Sequence, residues 1–157
     1  MIGYGASSDA YHMVATHPEG MGAYQAMKLA LNEANLQPHN VDVISAHATS
    51  TVVGDHSETL AIKKLFGEHA YHIPVTANKS MTGHALGAAG GLEAIALVKS
   101  IQEGIIPPTI NQDTPDSICD LDYVPNNARK ANLEIGISNS FGFGGHNAVI
   151  VIRKFVD

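Results

Sequence analysis

Two histidines and a lysine lie in short polar segments that follow apolar ones. His47 opens the segment HATST, and Lys79 and His84 belong to NKSMTGHALGAAG, residues 78–90. A histidine ring donates or accepts a hydrogen bond according to its tautomer, and a neighbouring charge influences its protonation. Lys79 and His84 stand at the start of an apolar segment, which indicates a charge network at the head of a buried helix.

A glycine-rich segment, SFGFGGHN (residues 140–147), offers a second kind of polar group. Glycine has no Cβ and tolerates positive φ angles, so this loop can bring backbone N–H groups close to a ligand. Such groups can stabilise a developing oxyanion. The same segment is also compatible with a simple tight turn between two strands. The lysine-containing segment is not a phosphate-binding P-loop, because it lacks the glycine spacing of that motif.

Apolar periodicity and turn residues predict the elements that carry these segments. Helices are predicted at residues 20–35, 55–66 and 85–103, with Asp55 and Glu58 as a capping-box-like pair at the start of the second. Strands are predicted at residues 41–46, 73–78, 135–139 and 148–153, and MIGYG is interpreted as the end of a further strand. Residues 105–131 are predicted to be irregular because they are rich in Pro, Asp and Asn.

The alternation of strands and helices predicts an α/β fold with a five-stranded mixed, mostly parallel sheet. The last two strands are joined by a short loop, so we expect them to be antiparallel. Ligands of such sheets bind at the carboxyl ends of the parallel strands. His47, Lys79 with His84, and the phenylalanines Phe141 and Phe143 each follow a strand. We therefore expect these side chains to converge on one edge of the sheet.

The third predicted helix is expected to be central and buried, because ALGAAGGLEAIALV has almost no polar face. Glu93 lies inside it, and a buried carboxylate is costly unless it is paired. Lys79 or a histidine is an available partner. The alternative is that Glu93 reaches solvent.

Composition limits the classes of function. The 157 residues suffice for one domain, and the formal net charge of −6 argues against a nucleic-acid partner. The longest apolar run, residues 85–98, is shorter than the roughly 20 residues that span a bilayer, and no signal peptide is recognisable. A soluble cytoplasmic protein without a membrane partner is expected.

The single cysteine, Cys119, excludes an internal disulfide and lies away from the three polar segments, so a structural role is expected. His69 and His72 are spaced like a ligand pair but lack further cysteine or carboxylate ligands nearby. No metal or cofactor is therefore expected. Surface or structural roles are assigned to six histidines: His12, His17, His39, His56, His69 and His72.

Taken together, the motifs resemble the β-ketoacyl-acyl carrier protein synthases, condensing enzymes of fatty-acid synthesis with the thiolase fold. AHATST is similar to the family's first histidine motif, NKSMTGHALGAAGGLE to its lysine–histidine–glutamate motif, and NSFGFGGHN to its closing glycine loop. CDLDYVPN and GYGASSDAYHM are similar to the elongating type II branch. The resemblance covers essentially the whole chain but only the C-terminal half of the family's domain pair, so residues 1–157 are expected to form a thiolase-like half-domain.

This resemblance implies a decarboxylative Claisen condensation, in which the enolate of a malonyl-carrier protein attacks an acyl-cysteine. His47 and His84 would drive decarboxylation and stabilise the enolate oxygen. Lys79 and Glu93 would hold the network and set the protonation of the histidines. Phe143 is implied as a gate residue whose backbone N–H completes the oxyanion hole. Binding of the pantetheine arm is implied for Thr49, Thr51, Phe141 and Gly144.

The nucleophilic cysteine of the family belongs to the N-terminal half, which these residues do not include. Cys119 lies in a different motif and is not its replacement. The chain alone is therefore expected to be inactive, with a cysteine-bearing half and an acyl carrier protein as partners and a homodimer as the complete enzyme. Two alternatives remain open: an inert half-domain that is at most a binding module, and the same half of a polyketide ketosynthase. A thiolase is disfavoured because SFGFGG contains no second cysteine.

Overall fold

The computed structural model describes residues 1–156, in which a five-stranded sheet is the main element. The strands of this range are β1 (Gly3–Ser8), β2 (Val43–Ser45), β3 (Val75–Thr76), β4 (Ile105–Ile106), β5 (Arg129–Lys130), β6 (Ile135–Gly142) and β7 (His146–Arg153). The α-helices of the same range are α1 (Met21–Glu33), α2 (Val52–Phe66), α3 (Lys79–Thr82) and α4 (Ala89–Glu103). Of these helices, none combines the length and apolar character needed to cross a bilayer.

The sheet has the strand order β1-β7-β6-β2-β3. β2 is parallel to both of its neighbours, whereas β7 is antiparallel to both of its own. Four strands therefore run in one direction and β7 runs against them, which confirms the mixed, mostly parallel sheet. The expected antiparallel pairing of the last two strands is also confirmed, with Ile135 opposite Arg153 and Gly142 opposite His146.

Helices cover both faces of this sheet. Successive side chains of a strand point to opposite faces, so Ile44 packs in the core formed with α1 and α2, whereas Val43 packs with Leu97 and Ile101 of α4. The approach of α1 to β1 is close: a Cβ on Gly5 would lie 2.1 Å from the carbonyl oxygen of Ala26. This layering fixes the carboxyl ends of β2, β3 and β6 relative to one another.

The start of α2 differs from the prediction. The helix begins at Val52 after Thr51, which makes no side-chain capping hydrogen bond. The preceding loop turns through left-handed residues, with φ of 32° at Ala48 and 64° at Ser50, so the helix starts three residues early. The predicted capping-box-like pair of Asp55 and Glu58 is therefore wrong: Glu58 is a buried residue inside the helix.

The segment after β3 is also more broken than predicted. The short helix α3 precedes Gly83, which has a φ of 70°, and a turn of 3₁₀ helix at residues 86–88 precedes α4. The predicted helix over 85–103 therefore begins as an α-helix only at Ala89, because Leu86 has a left-handed φ of 51°. Within the segment predicted to be irregular, β4 and β5 form a small antiparallel pair.

The helix α4 is buried on one face only. Glu93, Leu97 and Ile101 face the sheet and are at most 3% exposed. On the other face, Leu92, Ile95 and Val98 are 46%, 64% and 46% exposed. The prediction of a central, buried helix is therefore confirmed for one face of α4 and wrong for the other within these residues. An apolar pattern indicates that a face tends to be buried, but not which part of a protein packs against it.

Candidate active site

The ammonium of Lys79 is the centre of a buried polar network at the edge of the sheet. Lys79 is 8% exposed. It donates to the Glu93 carboxylate, to the backbone carbonyl of His47 at 2.5 Å and towards Nδ1 of His47 at 3.4 Å. An ammonium has three N–H donors, and all three are directed here. The predicted pairing of Glu93 with Lys79 is confirmed, and the alternative that Glu93 reaches solvent is wrong, since it is 2% exposed.

The two histidines are neighbours, and their hydrogen bonds define their tautomers. A lysine ammonium cannot accept, so Nδ1 of His47 must be the acceptor and the proton of the neutral ring lies on Nε2. Nδ1 of His84 accepts the backbone N–H of Leu86 at 3.2 Å, which leaves its proton on Nε2 as well. The two ring centroids are 5.7 Å apart with planes at 87°. The edge of the sheet therefore presents two Nε2–H donors on adjacent rings.

His47 is held in its neutral form. Desolvation by burial, and after it the charge of Lys79, lower the pKa of His47 to about 3. The imidazole therefore stays uncharged across the physiological pH range. A neutral ring whose proton lies on Nε2 is still an N–H donor, so it can stabilise a developing negative charge.

This lowered pKa predicts a pH dependence of stability. Below about pH 6.5 the unfolded chain protonates His47 and the folded chain does not, so the free energy of unfolding should decrease as the pH falls. The expected slope is at most about 1.4 kcal/mol per pH unit and ends near the folded pKa. Urea unfolding of the wild type and of His47→Asn at several pH values isolates this contribution, with the exposed His72→Asn as control. Equal slopes for the wild type and His47→Asn would contradict the prediction.

Glu58 is a site residue that the sequence interpretation did not assign. Its carboxylate accepts the backbone N–H groups of His47 and Ala48 and the side-chain amide of Asn139, each at 2.9 Å. Glu58 is 4% exposed; burial raises the pKa of its carboxyl, and the three hydrogen bonds oppose that shift. The contacts hold the left-handed loop after β2, so Glu58 positions the backbone of His47.

The glycine-rich segment contributes one side chain to the histidine cluster. Phe141 packs against the His47 ring with centroids 5.5 Å apart. The following residues make a tight turn between β6 and β7, in which Gly144 and Gly145 have φ of 80° and 73°. Phe143 is 76% exposed, and the N–H of Gly144 donates to the carbonyl of Met13 at 2.6 Å. The gate and oxyanion role of Phe143 stays a prediction.

A cleft of about 620 Å³ opens beside this network, a size typical of small-molecule sites. Thr49, Thr51, Lys79 and His84 are among its lining residues. The hydroxyl oxygens of Thr49 and Thr51 are 3.3 Å apart. The convergence of the segments after β2 and β3 on one edge is therefore confirmed. His47, Phe141 and Gly144 are not among the lining residues, and the predicted contact of Phe141 and Gly144 with pantetheine stays a prediction.

Comparison with protein families decides where the chain belongs. Residues 1–113 match the family described as beta-ketoacyl synthase, C-terminal domain. The chain is a member of this family. The segments that carry His47, Lys79 and His84 lie within the matched residues, whereas the glycine-rich segment at residues 140–147 follows them. The resemblance seen in the sequence is confirmed.

Curated relatives of this β-ketoacyl synthase domain carry the name 3-oxoacyl-[acyl-carrier-protein] synthase 2. The protein from Synechocystis is 50% identical over 155 residues, which cover 99% of this chain and 37% of the relative. The protein from Staphylococcus aureus strain COL is 52% identical over the same share of each chain. The chain therefore spans little more than a third of the length of these relatives.

Solved ketosynthase structures share the fold. A ketosynthase described in complex with its type II polyketide acyl-carrier protein superposes with a TM-score of 0.96 at 42% identity, covering 99% of this chain and 38% of that one. A β-ketoacyl synthase from Burkholderia phymatum superposes with a TM-score of 0.91 at 36% identity, covering 99% and 37%. The thiolase-like fold class is confirmed by these neighbours.

Proposed function

We propose that this chain supplies the histidine part of the active site of an elongating 3-oxoacyl-[acyl-carrier-protein] synthase. The observation that carries the proposal is the buried Lys79, which joins Glu93 to His47, next to His84. The overall reaction would be the decarboxylative condensation of a malonyl-carrier protein with an acyl chain. We assign catalytic roles to His47 and His84. Lys79 and Glu93 would set the protonation and tautomer of these histidines.

The geometry suits the charge that this reaction develops. Loss of CO2 from the malonyl thioester breaks a C–C bond and leaves its electron pair as an enolate. The Nε2–H groups of His47 and His84 can donate to the enolate oxygen. The enolate carbon then attacks the thioester carbonyl of the acyl-cysteine, and the cysteine thiolate leaves. Lys79 acts at Nδ1 of His47, where it favours the tautomer that keeps Nε2 a donor.

The remaining assignments concern substrate contacts. Thr49 and Thr51 face the cleft with hydroxyl groups that can bind the amides of a pantetheine arm. Phe141 supports the His47 ring. Phe141 and Gly144 are further proposed contacts of the pantetheine arm. Phe143 would act in the gate and oxyanion hole when a further part of the enzyme lies against the turn that carries it.

The nucleophilic cysteine would come from an N-terminal part of the enzyme that residues 1–157 do not include. The exposed residues Leu92, Ile95 and Val98 of α4 form an apolar strip beside Glu93, which is the kind of surface that another domain covers. We place the cysteine-bearing part against this strip. An acyl carrier protein is the proposed substrate carrier, in line with the solved ketosynthase that is described in complex with one. Without the cysteine-bearing part the chain is predicted to be inactive.

Reconstitution tests this proposal. The chain is co-expressed with the N-terminal part of the Staphylococcus aureus relative and supplied with acyl- and malonyl-carrier proteins. The pair should form a β-ketoacyl product detectable by mass spectrometry, and the chain alone should form none. His47→Ala should reduce the rate by about 100-fold or more, since acid–base and oxyanion groups contribute on that scale. His72→Ala, at an exposed site, should leave the rate unchanged.

A surface variant separates assembly from chemistry. Ile95→Glu adds a charge to the exposed strip of α4 and should abolish binding of the cysteine-bearing part, whereas Leu60→Glu, 42% exposed on α2, should not. A pair that assembles but forms no product would support the inert binding module. A product chain extended repeatedly without reduction would support the polyketide alternative.

A further inference from the structure

Three donor atoms of different chemistry meet at a second place along the cleft. The imidazole of His56, the carboxylate of Asp116 and the thiol of Cys119 each offer one ligand atom, and these atoms lie within 4.8 Å of one another. His56 lies on α2, and the other two lie between β4 and β5, about sixty residues further along the chain. None of the three has a role in the proposed condensation.

Local hydrogen bonds hold the three side chains in place. One carboxylate oxygen of Asp116, Oδ1, accepts the backbone N–H of Ile118 at 2.7 Å and that of Cys119 at 3.4 Å. The other oxygen, Oδ2, is therefore free to face Nε2 of His56, at 2.8 Å. Thr59 lies one turn along α2 from His56, and its hydroxyl donates to the sulfur of Cys119 at 3.4 Å.

We propose that His56, Asp116 and Cys119 bind one divalent transition-metal ion of the zinc class. Bonds of about 2.0 to 2.3 Å in tetrahedral geometry place ligand atoms about 3.3 to 3.8 Å apart. The nitrogen and the oxygen are 2.8 Å apart, and all three ligand atoms lie within 4.8 Å of one another. Binding would therefore separate the nitrogen and the oxygen by about 0.5 Å and bring the sulfur closer by at most about 1.5 Å. A donor set of one nitrogen, one oxygen and one sulfur atom favours zinc, because calcium and magnesium bind oxygen ligands.

The surroundings favour a cation at this position. Asp55 adds a second carboxylate, close enough for its charge to act on His56, Asp116 and Cys119. The three residues line the same cleft as Thr49 and Lys79. A fourth coordination position would therefore face the cleft, and the ion would join α2 to the segment between β4 and β5.

Cobalt(II) is the probe for this site because a thiolate ligand gives it a charge-transfer absorption in the near ultraviolet. Titration of the full 157-residue chain should give that band with one ion per chain. Cys119→Ser should abolish the band. His56→Ala and Asp116→Asn should each weaken binding by at least about 10-fold, as expected for the loss of one ligand.

A conservative variant and a control variant keep the test decisive. Asp116→Asn retains an oxygen that can accept the N–H groups of Ile118 and Cys119, so this variant should keep the local turn. It can therefore be measured even if His56→Ala does not fold. His39→Ala removes an exposed histidine elsewhere and should bind cobalt as the wild type does. A wild type without the thiolate band, or a band that persists in Cys119→Ser, overturns the proposal, as does unchanged affinity in Asp116→Asn. No activity is measured, so failure here is distinct from failure of the proposed function.

Discussion

Replacing Lys79 with methionine is expected to lower the free energy of unfolding by about 3 to 5 kcal/mol, the usual effect of breaking a buried ion pair. Methionine fills most of the lysine volume but removes the cation. Glu93 would then keep a carboxylate that is 2% exposed, with no cation at Oε1. Its second oxygen, Oε2, already lacks a hydrogen-bond partner among the described residues. Burial raises the pKa of Glu93 and Lys79 opposes that shift, so the variant should also protonate Glu93 more readily.

Urea unfolding followed by circular dichroism measures this effect. Lys99→Met is the matched control, because Lys99 lies exposed on α4 and donates to the Gln102 side chain at 2.9 Å. Its change should stay within about 0.5 kcal/mol. The double variant Lys79→Met, Glu93→Leu should recover much of the loss, since apolar replacements of both partners are often neutral. Equal stability of Lys79→Met and Lys99→Met would show that the pair does not support the fold.

In the proposed function, the Lys79–Glu93 pair has a role that an apolar pair could not take. A buried apolar pair would serve the core as well, but it could not donate to Nδ1 of His47. The three donors of Lys79 are divided between its counter-ion and the two atoms of His47 that set the loop and the tautomer. We therefore expect the apolar double variant to fold and to lose condensation activity in the reconstituted pair.

The order of elements and the meeting point of the polar segments could be predicted because they follow from local signals. The alternation of strands and helices and the short loop between β6 and β7 define most of the sheet. The carboxyl ends of β2 and β3 then bring His47 and Lys79 together. Strand lengths were less predictable: β2 and β3 contain three and two residues, whereas strands over residues 41–46 and 73–78 were predicted.

What the sequence did not show depends on contacts between distant residues. Glu58 looks like an ordinary acidic residue near a helix start, and its partners lie before the helix and at Asn139, on β6. His56 and Cys119 look unrelated for the same reason, since they meet only after the segment between β4 and β5 folds over α2. The exposed face of α4 was not predicted, because an apolar pattern indicates a tendency to be buried without identifying the segment that packs against it.

Replacing Glu58 with glutamine is expected to lower the free energy of unfolding by about 2 to 3 kcal/mol and to slow condensation in the reconstituted pair. Three N–H groups point at the carboxylate, from His47, Ala48 and Asn139. Glutamine offers one accepting oxygen and one donating amide, so at least one donor must face another donor. The loop, which holds Ala48 at a φ of 32°, would then relax and carry His47 away from Lys79.

Two readings together decide whether Glu58 positions His47 or only supports the helix. Glu68→Gln, at an exposed site, serves as the control and should change neither stability nor rate. If Glu58 acts through His47, the variant should lower kcat in the reconstituted pair, because the ring of His47 would no longer lie beside Lys79. Its pH profile of stability should also shift towards that of His47→Asn, since a displaced ring regains solvent and an ordinary pKa. A stability loss with an unchanged rate and pH profile would make Glu58 a structural residue alone.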